Sequence, residues 1–401
     1  MHSLIQPNEA SALIRANLRP AETVFCSIET CAGRILRQEI LADRPFPPFN
    51  RSMMDGYALR ATEIGDDGIF TIKVQVPAGS AKTLLGTESG HCAEIMTGAC
   101  VPDDTDCVVP YEATERIDES TIRLLKPDTH KPGDCIHPYA SDRESGEVLL
   151  EPGVLLGGRE IAVAASCGYA QVEVAKIPRI AILSTGDELI DVSSQPAPHQ
   201  IRRSNDISIE TSLAKLHLYP QTRTHLPDDQ TASIEGLEKL MKANDILILS
   251  GGISMGKKDY IPSALDLLGM KCHFHGVAQK PGKPMGFWSQ RDCAVFALPG
   301  NPSSTLTCLH QYVLPAIFHA MGQTAPPIPQ QVTLNAPVKA RDDLTIFLPV
   351  KCAIGNWASP QPTNNSGDLV RILQSEGYIA LPPTEKKGYP QGASFDFHPW
   401  Y

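Results

Sequence analysis

A chain of 401 residues with 42% hydrophobic and 20% charged side chains has the composition of a folded globular protein, which excludes disordered and fibrous classes. At about 150 residues per domain, this length calls for two to four domains. A formal net charge of -10, with no lysine or arginine run, argues against nucleic acid as a partner.

The N-terminus, MHSLIQPNEASALIRANL, spaces its apolar residues as a helix does. It lacks the charged start, apolar block and small-residue cleavage site of a leader. No apolar run nears the roughly 18 residues of a membrane span, so the expectation is a cytoplasmic protein without membrane contact. The helical pattern stops at the breaker-rich RPFPP of residues 44–48. Residues 70–142 hold short extended runs separated by glycine and proline, which predicts a small β-rich module over 45–142. A helix over 158–167 brings the chain back beside the N-terminal helices, giving a discontinuous helical and linker domain of 1–44 and 143–177.

From residue 178 the element types alternate regularly, the mark of an open, mostly parallel sheet with crossover helices. Strands are expected over 179–183, 221–226, 246–249, 273–277 and 293–298, and helices over 205–216, 229–243, 260–268 and 302–319. Pro302 sits at a first-turn position, where its missing N–H does no harm. This α/β domain, 178–323, ends at TAPPIPQ, and alternating runs at 331–338, 345–352 and 378–381 predict a C-terminal β-rich, barrel-like module over 324–401.

The eleven cysteines are odd in number and include no C-x-x-C pair, so they fit neither a secreted disulfide framework nor a zinc site. The nearest approach to a metal cluster, Cys272-His273-Phe274-His275, is split between the two faces of its strand.

Three loops of the α/β domain carry the chemistry. After the ILIL strand comes Ser250-Gly251-Gly252-Ile253-Ser254-Met255-Gly256, then Lys257, Lys258 and Asp259 ahead of a helix. Its glycines let the backbone approach a ligand and turn N–H groups toward an anion, with phosphate the natural guest; the alternative is a plain turn. Lys258 stands where a P-loop needs Ser or Thr, so a conventional NTPase is not implied. The second loop, Ser184-Thr185-Gly186-Asp187-Glu188, and the third, Pro299-Gly300-Asn301-Pro302, end strands of the same sheet, and in such sheets the strand ends share a ligand-binding edge. Asp187 and Glu188 suit Mg²⁺, a ligand hydroxyl or a helix cap. Asp228 and Asp259 lie at the same expected edge, as further acidic groups or as N-caps. Lys280 and Lys283, in the stiff turn KPGKP, face an oxyanion or only solvent. In the β module, SMMDGYA at 52–58 and MTGA at 96–99 have the small residues of a site contribution, but no spacing rule reads them alone.

Eight segments in order resemble one family, the molybdopterin molybdenumtransferases of MoeA type, related to the E domain of gephyrin. They are SMMDGYA (52–58), IMTGACVPDDTDCVVPYE (95–112), SDRESGEVLLEPG (141–153), STGDEL (184–189), SN (204–205), SGGISMGKKDY (250–260), KPGKP (280–284) and LPGNP (298–302). The resemblance implies an elongated four-domain homodimer whose α/β domain is like MogA and MoaB. It also implies an enzyme that inserts molybdate into adenylylated molybdopterin with Mg²⁺, releases AMP and receives its substrate from a molybdopterin adenylyltransferase. By similarity, Asp55, Thr97, Asp142, Glu188, Asp228 and Asp259 are catalytic, and Asp187, Glu188, Asp228 and Asp259 handle the metal. Asn205, Ser250, Gly251, Gly252, Ser254, Gly256, Lys280, Lys283, Pro299, Gly300, Asn301, Pro302 and Ser366 hold the substrate. The chain departs from the family's pattern at His137 and Ala140-Ser141, where arginine and Gly-Glu are usual, and at Arg203, where an acid is usual. It also lacks a Phe-x-Arg element near 343–351, where Arg341 and Lys351 are the cations at hand. The other readings the sequence leaves open are a cofactor carrier that no longer inserts metal, and an adenylyltransferase on the shared α/β fold.

Overall fold

The computed structural model describes residues 4–253, 259–290, 292–324 and 330–400. The chain divides into two compact units: Glu39–Glu151 with Ala162–Ala170 form the smaller, and the rest of the chain forms the larger.

The smaller unit is built on a six-stranded sheet in the order Cys107–Pro110, Gly56–Leu59, His91–Ile95, Ile69–Val76, Thr121–Leu124, Thr114–Arg116. Only His91–Ile95 and Ile69–Val76 run parallel. Strand alternation sends Tyr57, Leu59, Cys92 and Val109 into one buried cluster and Ala58, Ala93, Ile95 and Val108 into another, so both faces are covered. At Gly56 the strands come so close that a Cβ would strike the Val109 carbonyl and the Pro110 backbone, and only glycine fits.

In the larger unit the helix Pro7–Asn17 starts where Glu9 accepts a hydrogen bond from the Gln6 N–H at 2.7 Å, and it buries Ala10 and Ile14. The α/β sheet runs Thr222–Leu226, Ile180–Thr185, Ile246–Ser250, Ala294–Leu298, Gly286–Ser289, Lys271–His275. Its first four strands are parallel, and the last two join by antiparallel pairing. Ile180, Ile182, Ile246, Ile248 and Phe296 face one cluster, shared with Ile14, Ile209 and Leu309, while Ala181, Leu183, Leu247, Leu249 and Val295 face the other, shared with Leu237 and Leu265. Burial on both faces is why these strands read as continuous apolar runs. The helices are Asn205–Lys215, Gln230–Ala243, Ile261–Leu267 and a final helix made of Pro302–Cys308, a π-helical turn at Leu309–Val313 and Leu314–Ala320. Pro315, which cannot donate to the turn before it, follows that irregular turn. Asp229, read from sequence as the first helical residue, is the cap, its Oδ1 accepting from the Ala232 N–H at 2.8 Å. The strand Gly286–Ser289 was not foreseen.

Beyond residue 330, Thr345–Ala353, Trp357–Pro360, Gln330–Leu334, Ser394–Pro399 and Gly377–Leu381 pair in that order, and the last returns to the first. The β-rich module read from the alternation is thus a closed barrel, packed around Val332, Leu334, Val350, Ala358, Ile379 and Leu381. A short strand from the α/β segment, Gln279–Lys280, adds to this sheet parallel to Thr345 and Ile346. Among the described residues, no helix is long and apolar enough to cross a membrane.

Candidate active site

The register of the parallel strands sets the site. Ser184 lies beside Ser250, Ser250 beside Leu298 and Thr185 beside Leu226, so the four strands end level at one edge. A cleft of about 580 Å³ opens there, and all three loops singled out from the sequence line it.

Asn205 ties the loops together. Its Nδ2 donates to Ser250 Oγ at 2.9 Å and to the Gly300 carbonyl at 2.7 Å. Thr305, a residue sequence reasoning missed, lies under the same junction, with Oγ1 donating to the Pro299 carbonyl at 2.6 Å. Asn301 donates to Ser366 Oγ at 2.6 Å and the Ser303 N–H to the Ser366 carbonyl at 3.1 Å, which docks the barrel's 366–367 turn on the PGNP loop. The neighbouring Gly367 lines the cleft, beside Pro299 and Pro302.

The glycine loop is fixed by close approach. Gly251 and Gly252 hold φ of +98° and +66°, and a Cβ on Gly251 would lie 2.7 Å from the Thr185 carbonyl oxygen. The Gly251 N–H donates to the Leu298 carbonyl at 3.2 Å, and His275 Nε2 donates to the Ile253 carbonyl at 2.7 Å, while His273 bonds Ser289 Oγ at 2.8 Å. Ser254 and Gly256 lie outside the described residues.

Beneath Gly252 sits Thr185, 5% exposed, whose Oγ1 is buried without a partner among the described residues. The sequence places Thr185 in the second strand-end loop, but its unsatisfied hydroxyl is not legible there, since a threonine ending a buried strand looks like ordinary β-propensity. Thr185→Val keeps the shape and removes an unsatisfied hydroxyl, so it is expected to raise stability by about 1 kcal/mol, read as a higher melting midpoint. A lower midpoint would show that the hydroxyl is bonded.

The acids of the cleft are held in different ways. Asp187 and Asp228 clamp each other: the Asp187 N–H donates to Asp228 Oδ2 at 3.3 Å and the Asp228 N–H to Asp187 Oδ1 at 3.1 Å. The Glu188 carboxylate folds back over Gly186, where a Cβ would be 2.8 Å from Oε2. Glu188, Asp228 and Asp259 line the cleft, and so does Asp206, 3% exposed, in the first turn of the helix Asn205–Lys215, which sequence reasoning did not single out. Among the described residues, no three His, Cys, Asp or Glu side chains form a ready-made cation cage. Glu188, Asp228 and Asp259 are the carboxylates that a divalent cation entering the cleft would meet.

Lys280 and Lys283 are exposed and stand outside the residues that line the cleft, although Pro284 of the same turn is among them. The turn is seated on the buried Gln279, which accepts a hydrogen bond from Tyr312, and on Cys308. Arg341 is exposed and held by Asp343 at 2.7 and 2.9 Å, and Lys351 is exposed on the barrel.

The smaller unit assembles its own polar group. Ser52 sits at the crossing of three motifs: it pairs with Ile136, its N–H donates to the Ala99 carbonyl at 3.0 Å, and its carbonyl accepts from the Gly98 N–H at 2.9 Å. Asp55 Oδ1 accepts from the Thr97 N–H at 2.6 Å and from Thr97 Oγ1 at 2.8 Å. These bonds, the amide first and the hydroxyl second, hold the Asp55 carboxyl below its ordinary pKa. The Asp55 to Thr97 lock therefore contributes fully above the usual aspartate range and is lost as pH falls through the lowered value. A carbon-detected titration of Asp55 is expected to show a depressed midpoint that rises partway in Thr97→Val, which keeps the amide bond; an unchanged midpoint would remove the Thr97 hydroxyl as a cause.

Asp142 pairs with the chain's departure from the family pattern. His137 Nε2 lies 2.8 Å from Asp142 Oδ1, and Arg51 Nη2 lies 2.9 Å from His137 Nδ1. Arginine can only donate, so Nδ1 accepts and Nε2–H points at the carboxylate.

A second cavity of the larger unit, about 260 Å³, lies at the opposite ends of the strands, beside Ile246 and Ala294. Its rim charges are already paired, Lys176 with Glu22 at 2.8 Å and Arg179 with Asp245 at 2.7 Å.

Residues 181–319 match the family described as probable molybdopterin binding domain, and residues 5–168 match the MoeA N-terminal region, domains I and II. The fold and the cleft thus define a chain built around an α/β domain of the molybdopterin-binding class. It is 39% identical over 404 residues to the molybdopterin molybdenumtransferase of Synechocystis sp., covering 99% of this chain and 100% of that one. The Staphylococcus aureus molybdopterin molybdenumtransferase is 31% identical over 387 residues, 94% of this chain and 90% of that protein. The crystal structure of the molybdopterin biosynthesis MoeA protein from Pyrococcus horikoshii superposes with a TM-score of 0.82 at 26% identity, covering 98% of this chain and 99% of that one. The chain belongs to the molybdopterin molybdenumtransferase family of MoeA type.

Proposed function

We propose that this protein inserts molybdenum into molybdopterin, taking molybdate and adenylylated molybdopterin as substrates and releasing AMP, as a cytoplasmic homodimer in molybdenum cofactor synthesis. The observation that carries this reading is the convergence of the three strand-end loops on one cleft, two of them tied by Asn205, in a chain 99% of which aligns with a named molybdenumtransferase.

Ser250, Gly251 and Gly252 receive a phosphate of the substrate, because positive-φ glycines leave the backbone open to an anion. Asn301 and Ser366 hold the far wall in place, and Lys280 and Lys283 offer ammonium groups to an incoming oxyanion. Glu188, Asp228 and Asp259, with Asp187 behind Asp228, would hold Mg²⁺, which when bound neutralises charge on the phosphoanhydride. Asp55, Thr97 and Asp142 are assigned as catalytic residues of the smaller unit, Asp55 kept ionised by Thr97 and Asp142 oriented by His137. Catalysis on this plan is positioning and electrostatics. A molybdopterin adenylyltransferase is the partner that would hand over the substrate.

The test is AMP release from adenylylated molybdopterin with and without molybdate and Mg²⁺. Release that depends on both is expected. Tight binding of the substrate without any turnover would instead make the protein a carrier, and a requirement for ATP would make it an adenylyltransferase.

A further inference from the structure

The charges of the cleft do not balance for an anionic ligand. Among the described residues that line it, Glu188, Asp206, Asp228 and Asp259 are acidic, and the only cations are Arg202 and Arg203. Four carboxylates raise the cost of bringing a phosphate group to the glycine loop, so a fixed cation on the wall has a large effect.

Arg203 is placed to be that cation. It follows the two-residue strand Ile201–Arg202, which pairs in parallel with Leu189–Ile190, directly after the Asp187 and Glu188 loop. The Arg203 N–H donates to the Ile190 carbonyl at 2.9 Å, and two residues later Asn205 makes the bonds that tie the cleft together. The Arg203 side chain is only 24% exposed. Its guanidinium is felt at His225, whose pKa is lowered by burial first and by Arg203 second, and His225 Nδ1 in turn lies 3.1 Å from Ser184 Oγ on the cleft wall.

The guanidinium is steadied but not saturated. Nη2 donates to Asp191 Oδ2 at 3.1 Å, while the other Asp191 oxygen accepts from the N–H and the hydroxyl of Ser193, at 3.0 and 2.7 Å. Asp191 is 53% exposed, so the pair is a weak tether by itself. A guanidinium has five N–H donors in a fork that matches phosphate oxygens, and holding it by one of them sets its direction while leaving others to a ligand.

We propose that Arg203 is a substrate-binding residue of the cleft, meeting the phosphoanhydride of the adenylylated pterin with its guanidinium. The assignment rests on the molybdenum-transfer reading above and adds to it a cation that the family's usual acid at this position would not supply.

The experiment compares full-length wild type with Arg203→Gln, Arg203→Lys and Asp191→Asn, in two measurements: the KM and kcat for adenylylated molybdopterin, and the calorimetric Kd for AMP. Arg203→Gln is expected to raise KM and the AMP Kd by roughly tenfold to a hundredfold, the range for one charge-assisted hydrogen-bond pair, with kcat changed far less. It should also flatten the dependence of KM on salt. Arg203→Lys should restore part of the affinity, and Asp191→Asn should leave it near wild type. Wild-type KM and AMP affinity in Arg203→Gln would overturn the assignment, and so would an Asp191→Asn that reproduces the Arg203→Gln defect, because that is what a purely structural ion pair does. If the wild type releases no AMP at all, the transferase reading falls, and the AMP titration still decides the role of Arg203.

Discussion

Asp228→Asn is expected to lower molybdate-dependent AMP release by about a hundredfold or more while leaving the melting midpoint nearly unchanged. The two halves of that expectation come from different atoms of one side chain. Asp228 Oδ2 accepts the Asp187 N–H at 3.3 Å, a task the amide oxygen of asparagine performs equally well, and the Asp187 carboxylate continues to accept the Asp228 N–H at 3.1 Å. The loop pair survives. What disappears is a negative charge on a cleft wall shared with Glu188 and Asp259, and with it a hard oxygen donor for a divalent ion. Turnover under single-turnover conditions, with thermal melting on the same samples, checks both parts. Release within about threefold of wild type would take Asp228 out of the mechanism, since an effect of that size is below 1 kcal/mol.

Gly251→Ala has the largest expected effect on stability within the cleft, about 2–4 kcal/mol, from a left-handed backbone and a clash together. The φ of +98° disfavours any L side chain, and the new Cβ would lie 2.7 Å from the Thr185 carbonyl oxygen, which is backbone of a central strand and cannot withdraw. Gly300→Ala is the matched control. Its Cβ would meet the Gly251 backbone at ordinary distances, Cα at 3.5 Å and N at 4.0 Å, and its loss should be well under half as large. Urea unfolding of the two variants reads the difference directly. Equal destabilisation would mean that the loop after Ser250 relaxes freely, and the close approach would then not be what shapes the phosphate site.

Much of the α/β domain was legible because its physics is local. Ile180–Thr185, Ile246–Ser250 and Ala294–Leu298 are buried on both faces, so composition alone marks them, and the rule that parallel strands end at one edge brings their loops together without knowledge of side-chain positions. The helix starts at Asn205, Gln230 and Pro302 fall within a residue of the expected ones, because caps and first-turn prolines are short-range signals. The barrel module was legible only as alternation; its closure depends on Gly377–Leu381 returning to Thr345–Ala353, a pairing that no short window encodes.

What the sequence hid has equally definite causes. Gly286–Ser289 is too short to separate from the turn before it, and Gly286 leads a strand in which glycine is ordinarily unfavourable. Gln279–Lys280 looked like the start of a turn because its partner strand begins at Thr345. Thr305 and Asp206 entered the site through burial and orientation, which depend on the whole packed sheet, and so did the buried hydroxyl of Thr185, a residue already within the second loop. Asp55 and Asp142 were found only through resemblance, and the structure supplies the physical content, a threonine lock for the first and an arginine-oriented imidazole for the second.

The strand that the α/β segment lends to the barrel bears on how the protein is made. Gln279–Lys280 leaves the ribosome well before Thr345 and Ile346, the residues it pairs with. A nascent chain folds its earlier parts first, so the α/β segment stands ready when the barrel residues emerge. It then presents an open edge on which the barrel strand Thr345–Ala353 can align, and the Thr345 N–H docks on the Ala278 carbonyl at 3.0 Å. On that order the α/β segment would template the barrel, and the lysine-bearing turn would acquire its final setting only after residues 345 and 346 have emerged.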